Sequence, residues 1–125
     1  MPDNYVVKEY ETAAGKNKVK EFFEDLWKKR KTNELFIARR LISDLKDFGF
    51  NQNQPNVLKL LDGGRQIYEI KRKGKDVRLG LCAINEENRK GILLLGGFLK
   101  DSQKTRTKDL EVLRQRHADY FKRNK

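Results

Sequence analysis

Apolar side chains recur along this chain with two periods, and the change between them divides it. The β-rich hexapeptide Tyr5 to Tyr10 predicts an opening strand, and Thr12 to Asn17, with Gly15, a turn. From Lys18 the apolar residues fall at Val19, Phe22, Phe23, Leu26 and Trp27, the stripe of one amphipathic helix. Lys28-Lys29-Arg30-Lys31 closes it with positive charge, which suits a helix C-terminus. A second stripe, Phe36, Ile37, Leu41, Leu45 and Phe48, predicts another helix, capped by Thr32 or Asn33 and ended by Gly49. The short link between the two predicts an antiparallel hairpin whose core includes Trp27, Phe22 and Phe23.

After a polar loop around Pro55 the pattern turns to strands: Val57 to Leu61, Gln66 to Arg72, Val77 to Ile84 and Ile92 to Leu99. Asp62-Gly63-Gly64, Gly74 and Asn85 to Gly91 supply the turns between them. A last helix follows Thr105 or Thr107, with Leu110, Leu113, His117 and Tyr120 or Phe121 on one stripe. The expected fold is α+β. An N-terminal strand and a helical hairpin pack on a mostly antiparallel sheet of about four strands, with a C-terminal helix. Helices on one face would leave the other open to bind something.

The 125 residues fit a single domain, and 37% hydrophobic content suffices for one core. Apolar runs such as Ile92 to Leu95 are four residues long, far short of a membrane span, and Met1 to Asn4 shows no signal pattern. A cytoplasmic protein without membrane contact is expected. One cysteine, Cys82, excludes an internal disulfide and a cysteine-based zinc site, and one histidine, His117, excludes a multi-histidine site. The Asp and Glu spacing suggests no magnesium cage, so any chemistry is expected to need no metal and no cofactor.

Net charge is +11, from 29 Lys and Arg against 18 Asp and Glu. Residues 1–50 are nearly balanced and the remainder carries most of the excess, which suggests a polyanionic partner. The turn Lys73-Gly74-Lys75-Asp76 sets a register in which Lys71 faces Arg78 and Glu69 faces Gly80. Alternation puts Tyr68, Ile70, Leu79 and Leu81 on the core side. Glu69, Lys71, Arg78, Gly80 and Cys82 then lie on the other side, with Gly80 leaving a hollow. Two opposed cations destabilise a hairpin unless an anion bridges them, so the arrangement suits a bound phosphate. A solvated face whose long side chains splay into water remains the plain alternative.

Ile67-Tyr68-Glu69-Ile70-Lys71 is similar to a Leu-Tyr-Glu-Leu-Arg strand, and Val77-Arg78-Leu79 to Tyr-Arg-Val. Leu94 to Thr105 is similar to Leu-Leu-His-Gly-Phe-x-Lys-Lys-Thr-Gln-Lys-Thr, and the helix after it fits at Asp109, Leu110, Arg116, Asp119 and Tyr120. On these residues the chain resembles the RelE/ParE toxin superfamily, in particular its HigB-like, phage-related branch. It departs at Gly96, where the motif often has His, at Lys71, where Arg is usual, and at Asp101, which replaces a Lys.

The resemblance implies the toxin of a type II toxin–antitoxin pair. Such a toxin is a ribosome-dependent, metal-free mRNA endonuclease that inhibits translation, with mRNA on the ribosome and a cognate antitoxin as partners. ParE-type relatives inhibit DNA gyrase instead, and a non-catalytic basic RNA-binding protein is the further alternative. Carried over, Lys71, Arg78 and Lys100 occupy the family's basic sheet positions, with Lys104 just beyond. For cleavage Arg78 is expected to hold the phosphate, Lys71 to add charge and, if Arg78 depresses its pKa, to exchange a proton, and Glu69 to be the base or orient the lysine. Lys100, Lys104, Arg72 and Arg106 are the expected RNA-backbone contacts. His117 and Tyr120 are second-line catalytic candidates, since both sit on a helix stripe where packing is the commoner role. Cys82 is expected to be inert, and Trp27, Phe22 and Phe23 are expected to be core with an antitoxin contact at the margin.

Overall fold

In the computed structural model, residues 5–86, 88–100 and 106–124 are described. β1 (Val6–Glu9) leads into α1 (Lys18–Lys28), which starts where the Asn17 side chain accepts from the Lys20 N–H at 2.9 Å. That bond satisfies one of the donors a helix N-terminus leaves bare. α1 ends in a Schellman turn: Lys31 N–H reaches the Leu26 carbonyl at 2.8 Å, and Arg30 N–H the Trp27 carbonyl at 3.0 Å. Arg30 takes the positive φ of 58° that this turn demands. α2 (Thr32–Phe48) returns antiparallel, and β2 (Asn56–Asp62), β3 (Ile67–Arg72), β4 (Val77–Glu86), β5 (Arg89–Leu99) and α3 (Arg106–Arg123) complete the chain.

The strands form a five-stranded sheet in the order β1-β5-β4-β3-β2. The α+β class holds. The sheet has one strand more than expected because β1 joins it, parallel to β5, with Val6 opposite Gly91. The other pairings are antiparallel. The Asn85 to Gly91 turn is tighter than expected, since Asn85 pairs with Lys90 and Glu86 with Arg89. Among the described residues no helix is long and apolar enough to cross a membrane.

Both faces of the sheet are covered, which corrects the expectation of one open face. Under α1 and α2, Val19, Ala38, Leu41 and Leu45 pack on Ile70, Leu79, Leu81, Ile92 and Leu94. On the opposite face Leu113 of α3 joins Tyr10, Ile67, Cys82, Ile84, Leu93 and Leu95. The hollow expected at Gly80 is filled, because a Cβ there would run into the Leu113 side chain. Two pieces of the predicted helical core also change. Trp27, Phe36 and Phe48 are exposed, while Leu35 and Ala38 are buried. The buried stripe of α2 is Leu35, Ala38, Leu41 and Leu45, and Phe36 and Phe48 fall outside it.

Candidate functional site

The predicted β3–β4 register is the observed one. Lys71 pairs with Arg78 and Glu69 with Gly80. One strand further, Phe98 pairs with Arg78 and Gly96 with Gly80. A register shift between Gly80 and Leu81 inserts Leu95 as an extra residue in β5, the bulge that the adjacent glycines lead one to expect. A row Lys71–Arg78–Phe98 therefore crosses the sheet beside a row Glu69–Gly80–Gly96.

Within these rows Arg78 is 4% exposed and Glu69 1%. Arg78 Nε lies 3.8 Å from Glu69 Oε1, an ion pair at a distance too long for a hydrogen bond. Its Nη1 donates to the carbonyls of Lys75 and Val77. The guanidinium thus folds back on its own turn, while Lys71 beside it is only half-buried. Lys73, Lys75 and Lys100 are exposed at this end of the sheet. The Lys100 N–H donates to the Asp76 carbonyl at 3.0 Å, which ties the end of β5 to the β3–β4 turn. The structure thus gathers Lys71, Arg78, Glu69 and Lys100 at one end of the sheet.

The remaining predicted residues are elsewhere or outside the description. Arg72 is on the helical-hairpin face, with Nη2 3.6 Å from Asp44 Oδ2 and Nε 3.4 Å from Asn56 Oδ1. Alternation along β3 turns it away from Lys71, so the structure does not bring it to the rows. Lys104 and the Arg106 side chain lie outside the described residues, although Arg106 opens α3. His117 faces the β2–β3 turn, at the far end of β3 from Lys71. Burial holds its imidazole below the ordinary value, opposed by a hydrogen bond to the Arg65 carbonyl, and its ring centroid is 4.6 Å from that of Phe121. Tyr120 packs against the α3-side core and meets Phe121 edge-on. Neither residue is brought to the rows. Cys82, expected on an open side, is buried, and burial pushes its thiol up to about 12, so it stays a protonated core residue.

Two neighbours of the rows were not singled out from the sequence as site residues. Phe98 stands directly beside Arg78, half-buried and packed against the α3-side core. Arg116 sits over Gly96, held by Nη1 donating to the Leu95 carbonyl at 2.9 Å, and burial lowers the pKa of its guanidinium. A side chain at position 96 would displace it. The Gly-Gly pair was the available signal for this approach, but which side chain fills the space depends on where α3 lies. Among the described residues no group of three or more His, Cys, Asp or Glu side chains is placed to hold a metal ion. Comparison with family models, with curated proteins and with solved structures finds no match.

Proposed function

We propose that this chain is the toxin of a type II toxin–antitoxin pair, of the HigB-like branch of the RelE/ParE superfamily. In this reading it acts in the cytoplasm as a ribosome-dependent mRNA endonuclease, needs no metal, and is neutralised by a cognate antitoxin. The observation that carries the reading is the opposed Lys71–Arg78 pair, with Glu69 beside it and Lys100 at the strand end. Lys71 is the accessible cation of the pair, and Arg78 keeps its charge buried beneath it beside Glu69, so an entering phosphate would meet positive charge from both.

In this mechanism the 2′-oxygen attacks the adjacent phosphorus and loses its proton as the bond to the 5′-oxygen breaks and that oxygen takes up a proton. The products are a 2′,3′-cyclic phosphate and a 5′-hydroxyl. Lys71, the most accessible member of the pair, contacts the phosphate and exchanges a proton, and Lys100 holds a neighbouring phosphate. Arg78 supplies fixed positive charge from beneath, positioned by the turn carbonyls and by Glu69. Phe98 offers a surface on which a base can stack.

The test is brief induction followed by mapping of mRNA 5′ ends. Growth arrest with new 5′ ends, both lost in a folded Lys71→Ala variant, is expected. Arrest with intact mRNA and inhibited gyrase would transfer the assignment to a ParE-type inhibitor. One observation favours a non-catalytic RNA-binding role as a second reading: Arg78 is buried, and its Nη1 is already engaged by the carbonyls of its own turn. That role predicts salt-dependent RNA binding with no cleavage on translating ribosomes.

A further inference from the structure

β2 brings a further cation to the site. Its antiparallel register sets Val57 opposite Lys71 and Lys59 opposite Glu69. Directly opposed residues share a face, so Lys59 lies on the α3 side and extends the Glu69–Gly80–Gly96 row to the outer strand. It is the diagonal neighbour of Lys71, with Cβ atoms roughly 7 Å apart in such a pairing. Its side chain is exposed. The carboxylates of β2 and β3 are engaged elsewhere. Asp62 meets Arg114 at 2.8 Å and Arg65 at 3.0 Å, and Glu69 is buried 3.8 Å from Arg78. Among the described residues Lys59 forms no ion pair.

The cover over the sheet adds an independent sign. Leu113 lies against Gly80 and Arg116 against Gly96, so α3 closes the inner part of this face. β2 is an outer strand, with nothing paired beyond it. A polymer that meets Lys71 therefore has two open directions, along the end of the sheet toward Lys100 and over the β2 edge past Lys59.

We propose that a single-stranded RNA leaves the site over the β2 edge, with Lys59 holding the phosphate next to the one that Lys71 meets. The diagonal spacing of the two lysines is close to that of successive phosphates along an extended strand, and a row of cations on one edge tracks such a backbone. A lysine contact of this kind positions the strand and reads no base. An edge lysine also deters pairing with a foreign strand. That role asks for a charge anywhere along the edge, whereas the single lysine of β2 stands on the face and the diagonal of Lys71. The inference rests on the reading that the Lys71–Arg78 row meets RNA, and it names the next contact along the strand.

The probe is a short single-stranded RNA with 2′-O-methyl riboses, which lacks the attacking hydroxyl and stays intact when bound. Its affinity is measured by fluorescence anisotropy over a salt series for the wild type, Lys59→Gln, Lys59→Arg and Lys20→Gln. Lys20 is an exposed lysine of α1, on the opposite face. Expected is a loss of about fivefold at low salt in Lys59→Gln, with the salt slope flattened by about 0.7. Lys59→Arg should keep both near wild type, and Lys20→Gln should change neither. Equal losses in Lys59→Gln and Lys20→Gln would overturn the inference, since charge would then act without regard to place. Unchanged affinity in Lys59→Gln would overturn it too, with or without the self-association of an unguarded edge, as would a wild type that binds no RNA at low salt. Brief induction separates this inference from the ribonuclease reading. Intact mRNA with the Lys59 dependence retained removes the nuclease and leaves the strand path. Cut mRNA with unchanged affinity in Lys59→Gln removes the path and leaves the nuclease.

Discussion

A guanidinium 4% exposed, 3.8 Å from a carboxylate 1% exposed, contributes to the fold as well as to any chemistry. Removing one member of a buried ion pair leaves the other charge poorly compensated in a medium that solvates it badly. Arg78→Ala should therefore lower stability by about 3 kcal/mol in urea unfolding, the low end of the range for broken buried pairs. Lys71→Ala, at a half-buried position across the strand, should cost less than about 1 kcal/mol. Equal midpoints for the two variants would refute the structural role of Arg78. This difference also decides which variant tests function cleanly: a loss of toxicity in Arg78→Ala confounds folding with chemistry, whereas Lys71→Ala does not. That Lys71 and Arg78 oppose each other was legible from the turn at Gly74. That only one of them is buried was not, because burial depends on what covers the row.

α3 is the element that closes this face, and it is fastened by shape and by charge. Leu113 fits over Gly80. Arg114 Nε reaches Asp62 Oδ2 at 2.8 Å, while Asp119 accepts from Tyr10 at 2.6 Å and from Arg123. Gly80→Ala should destabilise by about 1–3 kcal/mol through overpacking. Leu113→Ala should cost about 2–5 kcal/mol through the cavity it leaves. The double variant should cost less than the two added together, since the smaller residue admits the new methyl group. Additive unfolding energies would mean that the contact is not what fastens the helix. The charge contacts predict an acid response. Arg114, with help from Arg65, holds the Asp62 carboxyl well below the usual carboxylate range. Arg123 and then Tyr10 lower that of Asp119. Their contribution is therefore complete above the ordinary value of about pH 4 and is lost as pH falls through the lower folded values. Hydrogen-exchange protection in α3 should fall below that of β4 and β5 over this acid range, and Asp62→Asn should weaken the pH dependence. Loss of protection in all three elements together would count against a separately released helix.

Across the whole molecule the excess charge divides by face. Lys71 and Lys100 belong to one end of the α3-side face, whereas Arg72 is held by Asp44 on the other. For single-stranded RNA the log of affinity should fall linearly with log salt, by about 0.7 per phosphate neutralised. Lys71→Ala and Lys100→Ala should each flatten that slope by roughly 0.7, and Arg72→Ala should leave it unchanged. A slope that responds equally to all three would mean that charge acts without regard to face. The sequence by itself determined the helices and strands, the β3–β4 register and the surplus of cations. These depend on local periodicity, on turn chemistry and on counting. Only the tertiary structure decided how they are used. Along the chain, Gly80 reads as a hollow, Gly96 as a departure from the motif and Trp27 as core. In space, Leu113 lies over Gly80 and Arg116 over Gly96, and α2 buries Leu35 and Ala38 while Trp27 is left in solvent. Covering a face is a long-range event, set by helices distant in sequence, and it separates the buried Arg78 from the accessible Lys71.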